Sequence, residues 1–489
     1  MFELWYASRA TPESAALLDQ IGEAGRAEAQ AAARRLVAIG DLYLLRLRDS
    51  GEQADCAIDT WDAVAAQVAA ALECSIAMGS SYLRYAMAMR ERLPVVGKLF
   101  EAGVIDYRAF QTIVFRTDLI TDAQVLERVD ARLAVRLSRC PALTRGRLAG
   151  EVDRAVAATD RDAVRRTREA VQDRFVDINA AETGMAWLSG CVLATAGQAL
   201  DRRLDDLAAT VCGADPRTRE QRRADALCAL AAGAERLACG CGSRDCVATK
   251  PVSGPNVVIH VVADQASVDG TGGASANVAG AEGLIPAEMV AELAKTARLQ
   301  PLVPPADDPE PRYVPSAKLA DFVRSRDLTC RAPGCDRPAF ECDLDHTRAY
   351  RDGGWTHASN LKALCRKHHL LKTFGGWRDK QLPDGTVIWL LPDGRTYVTT
   401  PGSALLFPIL CAPTGDLPPS HSDRIQPRCG DRAAMMPKRR RTRAQNRAHR
   451  INAERRHNHN ARESRKAQLV SYLGPAPPGG SGDAEPPPF

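Results

Sequence analysis

Residues 330–372 read CRAPGCDRPAFECDLDHTRAYRDGGWTHASNLKALCRKHHLLK, and this stretch decides the fold of the C-terminal part and the chemistry open to it. Two ligand sets interleave in it. The soft donors form two short-spaced pairs, Cys330-x4-Cys335 and Cys365-x2-His368, about thirty residues apart. Structural zinc takes thiolate and imidazole in a closed tetrahedron, so these four residues are expected to fold a small module around one zinc ion. Cys365 and His368 stand at i and i+3, which puts them on one face at the start of a helix. Cys342 is a further thiol, expected to pack in a strand rather than to ligate.

A harder set lies beside the soft one: Asp345-His346, then Asn360, then His369. One helical residue turns the side-chain direction by about 100°, so His368 can serve the zinc while His369 faces the strand carrying Asp345 and His346. Neighbours on a strand point to opposite faces, so Asp345 and His346 part in the same way unless the strand end bends. Phosphodiester cleavage needs a nucleophile made from water and a countercharge at the phosphate. A neutral imidazole suits the first task, and a cation held by carboxylate and imidazole suits the second. Arg366, Lys367 and Lys372 are candidate phosphate contacts, with a merely solvated helix face as the equal alternative.

Asp345-His346, Asn360, and His369 after the Cys365-x2-His368 pair, together with the Gly353-Gly354 turn and Asn360-Leu361, resemble the HNH endonuclease motif. The resemblance implies a ββα-metal fold with His346 as the general base. It implies that Asp345 and His369 hold one divalent cation, magnesium or manganese, and that Asn360 either orients His346 or joins the metal. A wider likeness covers about residues 30–400. LRYAMAMRERLPVVGKLFEAGVIDYRAFQTIV, ETGMAWLSGCVLATAGQALDRRLDDLA and RRADALCALAAGAERLACGCGSRDC resemble the 13E12 repeat family. That family places a helical domain of unknown function before a C-terminal HNH module.

Upstream, apolar residues recur at three- and four-residue spacing through residues 12–172, as in ALLDQIGEAGRAEAQAAARRLVAIGDLYLLRLR, with further amphipathic stretches at 60–93, 94–104, 107–116, 121–137 and 160–170. RFVDINAAETGMAWLSGCVLA at 174–194 switches to a β-like period and predicts a hairpin. Helices are expected at 196–210 and 217–233, a buried strand at 256–264, a flexible loop at 269–283, a short helix in LIPAEMVAELAKTA and a Pro-rich linker at 302–315. SAKLADFVRSRD predicts the helix that opens the nuclease-like part, and the two Pro-Asp-Gly turns after residue 375 predict a terminal hairpin or meander.

The expected fold class is therefore α+β. A mainly helical domain with a small sheet (1–265) and a linker with a short helix (266–315) precede a zinc-stabilised HNH module with a C-terminal β hairpin (316–411) and a disordered basic tail (412–489).

A chain of 489 residues has room for such domains, and its 45% apolar and 26% charged content is ordinary for globular protein. No signal peptide and no membrane span are expected, which points to a cytoplasmic location. Fifteen clustered cysteines in such a chain favour metal over disulfides. Cys239, Cys241 and Cys246 are candidates for a second zinc site, with Cys228 or His260 as fourth ligand; the bland alternative is reduced thiols in a Gly-rich turn. Residues 438–466 hold twelve Lys/Arg against two Glu, so the net charge of +5 divides into +10 there and −5 elsewhere. Lys438, Arg439, Arg440 and Arg441 begin this run. It lacks interleaved aromatics, so sequence-independent phosphate attraction is its expected use. The functional expectation is a metal-dependent endonuclease cutting DNA, most readily double-stranded. The alternatives are a zinc-dependent DNA-binding or mobile-element-associated protein that does not cleave, or a nuclease acting on RNA.

Overall fold

Thr11 opens the first helix by a reciprocal cap. Its hydroxyl accepts from the Ser14 amide at 3.1 Å, and its own N–H donates to the Ser14 hydroxyl at 3.0 Å, with Pro12 in the first turn. The helix, α1 (Pro12–Ser50), buries Ala29, Ala33, Leu36, Ile39 and Tyr43 along one stripe. Around that stripe pack α2 (Thr60–Ala71), α3 (Ile76–Met87, prolonged by one wider turn through Arg92), α4 (Pro94–Glu101), α5 (Tyr107–Thr117), α6 (Ala123–Arg139) and α7 (Arg145–Ala157). The computed structural model describes residues 11–139, 143–165, 175–180, 185–243, 245–246, 260–278, 284–295, 297–305, 307–415 and 435–473. The stretch expected at 160–170 begins as a single 3-10 turn, Arg161–Ala163, and its end lies outside the described residues.

The chain is α+β, mainly helical with small sheets. Strands β1 (Phe175–Ala180) and β2 (Ala186–Cys191) form the antiparallel hairpin, and α8 (Ala194–Ala208) then packs on α9 (Arg219–Ala231). Of the strand expected at 256–264, residues before 260 lie outside the described ones. The remainder is β3 (Val261–Val262), followed by α10 (Gln265–Val268), β4 (Ala276–Val278) and β5 (Leu284–Ile285). These three strands make one antiparallel sheet, so the interval 269–283, expected as flexible loop, contributes its central strand; 279–283 lie outside the described residues. Helix α11 (Ala287–Ala294) follows.

The C-terminal part runs α12 (Ala317–Asp327), β6 (Asp343–His346), β7 (Leu361–Leu364), α13 (Arg366–Phe374) and a meander of β8 (Arg378–Gln381), β9 (Val387–Leu390) and β10 (Thr396–Thr399). Both Pro-Asp-Gly turns of the meander set their glycines at positive φ, +85° for Gly385 and +82° for Gly394. Strands β6 and β7 pair antiparallel with Asp345 opposite Lys362. This part shares one core with the helical body: Ile58, Ala66 and Ala70 pack with Ala363, Leu364, Leu371, Trp377 and Trp389. The expected linker at 302–315 is pinned near its end, where the Glu310 amide donates to the Thr356 carbonyl at 2.9 Å and the Tyr350 hydroxyl to the Pro311 carbonyl at 3.0 Å.

Between β6 and β7 the chain doubles back through Gly353, at φ +79°, and Gly354. A Cβ on Gly354 would lie 1.9 Å from the Arg348 carbonyl oxygen, a contact that only backbone movement relieves. Gly354→Ala is therefore expected to destabilise the protein by about 2 kcal/mol. Thermal unfolding checks this, and an unchanged midpoint would remove the steric argument.

The tail corrects an expectation. Residues 443–473 are not disordered but form α14 (Arg443–Leu473), lying along the helical body. Ile451 enters the main core, and the buried Asn458 amide donates to the carbonyls of Asp162 and Val164. The physical reason is a row of acidic partners. Arg447 meets Asp118 at 2.6 Å, Arg455 meets Asp160 at 2.7 Å, and Arg439 and Arg443 both grip Asp59 and Asp62. Charges that looked solvated in isolation are thus paired across the fold. Residues 416–434 and 474–489 lie outside the described ones. Among the described residues, no single helix is long and apolar enough to cross a membrane.

Candidate active site and metal centre

Cys365 caps α13, so His368 falls one turn in and on the same side. Cys330 and Cys335 approach from the preceding loop, which turns at Gly334 (φ +69°). The four ligand atoms all lie within 4.8 Å of one another. His368 Nδ1 is 3.3 Å from Cys365 Sγ and 3.6 Å from Cys330 Sγ, and the Cys335 and Cys365 sulfurs are 4.0 Å apart. Ligands about 2.3 Å (sulfur) and about 2.0 Å (nitrogen) from a tetrahedral zinc would be separated by roughly 3.5–3.8 Å, so the set fits that ion. All four expected ligands can therefore hold zinc. Cys342 is buried outside this group, its thiol directed at the Pro338 carbonyl at 3.2 Å, and stands just before β6 rather than in the strand.

One residue further along α13, His369 turns to β6. Its Nδ1 lies 2.8 Å from Asp343 Oδ2 and its Nε2 3.6 Å from Asp345 Oδ1. Asp343 and Asp345 share a face of the strand by its alternation. A carboxylate bonded to one imidazole nitrogen fixes the tautomer that leaves the other nitrogen with a lone pair. The lone pair of Nε2 then faces Asp345 Oδ1, and the two atoms are close enough to share a small cation. Asp345 Oδ2 is already engaged by Lys362 at 2.8 Å and Lys372 at 2.5 Å. Both lysines also reach Asp379, at 2.5 Å and 3.2 Å. Burial pushes the Asp345 pKa up, but the two ammonium groups outweigh it and hold the value at about 2. Among the described residues, Asp345 and His369 are not part of any group of three or more metal-capable side chains.

His346 goes to the other side. Its Nε2 is 2.9 Å from the Thr356 hydroxyl, its ring stacks on Tyr313 at 5.3 Å, and Tyr350 meets it edge-on. Burial lowers its pKa to about 4 against the opposing charge of Asp345, so the ring is neutral at physiological pH. Asn360 spends its amide on the loop between the strands. Its Oδ1 accepts from the Arg348 amide at 2.9 Å, and its Nδ2 donates to the carbonyls of Arg348 and Trp355 at 3.1 and 2.7 Å. Asn360 therefore ties down the loop whose next residue, Thr356, lies against His346. The structure brings Asp345 and His369 together and leaves the His346 ring and the Asn360 amide in other contacts.

Two of the candidate phosphate contacts need correction. Lys372 is partly buried and held by Asp345 and Asp379, and Arg439 is spent on Asp59 and Asp62, because buried carboxylates recruit the nearest cations. Arg366 pairs with Asp343 at 3.3 Å, Lys367 with Asp62 at 3.1 Å and Lys438 with Asp55 at 2.9 Å, each with its side chain half exposed or more. Arg440 and Arg441 are exposed. Reading the sequence missed Asp343, Lys362, Thr356, Tyr313 and Asp379. Only Asp343 left a local signal there, an acidic residue two positions before Asp345 on a predicted strand.

A family model described as "Domain of unknown function (DUF222)" matches residues 23–327, ending three residues before Cys330. The uncharacterized protein Rv3776 of Mycobacterium tuberculosis is 45% identical over 478 residues, covering 91% of this chain and 90% of its own. The uncharacterized protein Rv2100 of the same species is 43% identical over 486 residues, covering 91% and 88%. No solved structure matches this chain.

Proposed function

This chain belongs to the DUF222 family, whose description assigns no activity, so its function is read from the residues beyond the family match: we propose that it is a metal-dependent endonuclease of the HNH type that hydrolyses DNA. One observation carries the reading. His369, a single helical step past a zinc-facing histidine, is bonded by Asp343 at Nδ1 and presents Nε2 to Asp345. In that arrangement zinc fixes the helix, the helix fixes His369, and Asp343 fixes its tautomer.

Asp345 and His369 would hold magnesium or manganese, which when bound supplies positive charge to the phosphate and the leaving oxygen. Two protein ligands suffice for magnesium, which keeps several waters and binds substrate phosphate directly. His346 serves as the neutral base. The Thr356 hydroxyl donates to the Tyr313 carbonyl at 3.5 Å, so its oxygen accepts from His346 Nε2–H and leaves Nδ1 to take a proton from water. Tyr313 covers the ring, and attack requires that cover to shift. Arg366, Lys367, Lys438, Arg440 and Arg441 are the cations open to backbone phosphates. Zinc in the ribbon is structural.

A second reading rests on a specific contact. Lys372 sits on Asp345 in the place a countercharge would take, which suits a zinc-folded DNA-binding protein that does not cleave. Supercoiled plasmid with magnesium or manganese separates the two. Wild type is expected to nick or linearise it, with His346→Ala and His369→Ala slower by roughly 100- to 10,000-fold. Plasmid left equally intact by wild type and both variants, across metals and salt, would sink the nuclease reading. RNA offered in parallel identifies the preferred polymer.

A further inference from the structure

We infer that Cys212, Cys239, Cys241 and Cys246 form a second zinc site, a closed four-thiolate centre that ties the end of α8 to the loop after α9. The four sulfurs lie within 4.8 Å of one another, and those of Cys212 and Cys239 are 3.5 Å apart. Thiolates about 2.3 Å from a tetrahedral zinc would be roughly 3.8 Å apart, so the cluster is close to the size the ion needs. Spacing within the loop named three of these residues and left the fourth open. Cys212, 27 residues upstream of Cys239, completes the set because α8 and α9 pack side by side. The other two contenders lie elsewhere: Cys228 is exposed on α9, and the His260 ring stacks on Phe340 at 3.9 Å.

The surroundings of the thiols are built independently of them. The Asp215 carboxylate accepts from the Gly240 amide at 2.8 Å, between two of the cysteines, and from the Arg217 amide at 3.0 Å. The Arg217 guanidinium is bidentate on Asp215 and also reaches Asp225 and the Ala238 carbonyl. Gly242, at φ +70°, turns the chain after Cys241 so that Cys246 comes back to the others. Apolar burial nearby is thin, with Leu207, Ala208, Ala226, Ala234 and Leu237 its main members. A segment with so small a core gains most from a cross-link, as small metal-stapled folds do. A single disulfide would use two of the four thiols, whereas zinc uses all of them. Four protein ligands leave no open position for a substrate, so the centre is structural.

The test uses the full chain, purified without chelator. Metal analysis should return about two zinc per chain, about one after Cys212→Ser, and about two after Cys228→Ser. Zinc-edge X-ray absorption on wild type gives a readout that survives any misfolding of the variants. The expected average is about 3.5 sulfurs per zinc, against about three if only the Cys330–His368 ribbon is loaded. One zinc per wild-type chain overturns the inference. So does a disulfide found by mass spectrometry among the four cysteines, and two zinc retained by Cys212→Ser overturns the assignment of Cys212. None of these outcomes depends on nuclease activity.

Discussion

Replacing Cys365 by serine is expected to unfold the 316–411 part, because this one side chain holds several roles at once. It offers a sulfur to the four-residue cluster that can hold zinc, sits in the core shared with the helical body, and its backbone occupies the N-cap position of α13. Its amide also donates to the Cys330 sulfur at 3.3 Å, which steadies a second ligand. Serine nearly preserves the volume, so the change reports the metal rather than a cavity. Structural zinc contributes on the order of 10–16 kcal/mol in zinc-finger peptides, against roughly 5–15 kcal/mol for the whole stability of an ordinary domain. Trp377 and Trp389 meet edge to face at 5.8 Å beside His368 and give a near-ultraviolet dichroism signal for the packed state. That signal should collapse in Cys365→Ser, along with the ribbon zinc. A variant that keeps both its zinc and its tryptophan signal would show that the ribbon folds without the metal. The proposed DNA cleavage should vanish with the fold, since His369 rides on the same helix.

Lys362→Met is expected to cost about 3–5 kcal/mol, the largest effect of any change that leaves the zinc alone. Lys362 is fully buried, with its ammonium on Asp345, Asp379 and the Thr347 hydroxyl. Methionine fills the space but leaves two buried carboxylates to share Lys372. Urea unfolding at neutral pH measures the loss, and a change below about 1 kcal/mol would mean that Lys372 alone satisfies both acids. Acid titration supplies a second readout. Asp345 is held at about 2 in the folded protein, below its ordinary 3.8. A depressed carboxylate stabilises the fold fully above its unfolded value, and that contribution is lost as pH falls through the folded one. In wild type the loss lies between about pH 4 and pH 2. Lys362→Met removes the largest lowering influence on Asp345, so acid unfolding should begin at higher pH.

The sequence made the cluster of Cys330, Cys335, Cys365 and His368 legible because its members come as close pairs, and pairs are local information. The parting of His368 and His369 was legible for the same reason, since helical phase alone decides it. The fate of Lys372 was not. It stands three residues after His369 and looks like an outward cation until β6 is placed under α13, where Asp345 and the distant Asp379 claim it. Asn360 was open between two roles, and only the closed loop 348–355 shows what its amide bonds. The C-terminal helix was hidden more deeply. A run of Arg, Asn and His reads as disorder on its own terms, and its partners Asp59, Asp62, Asp118, Asp160 and Asp162 lie some 300 residues or more earlier. Cys212 was missed by the same rule, since helix packing rather than spacing brings it to the other three thiols.

The grip of Arg439 and Arg443 on Asp59 and Asp62 has a consequence for the order of synthesis. Asp62 is also the residue that Lys367 reaches from α13, so this acid in the second helix joins the helical body, the zinc module and the C-terminal arm. A ribosome delivers α2 long before it delivers any of those three cations, and domains assemble as they emerge. Throughout that interval Asp59 and Asp62 lack the three cations that pair with them in the folded protein, and the surface that packs against the 316–411 part stays uncovered. Arginines translated near the end of the chain complete a junction whose acids belong to its second helix and that helix's cap. A nascent or prematurely ended chain therefore lacks the finished junction between the helical body, the 316–411 part and the C-terminal arm, which closes only when translation is nearly over.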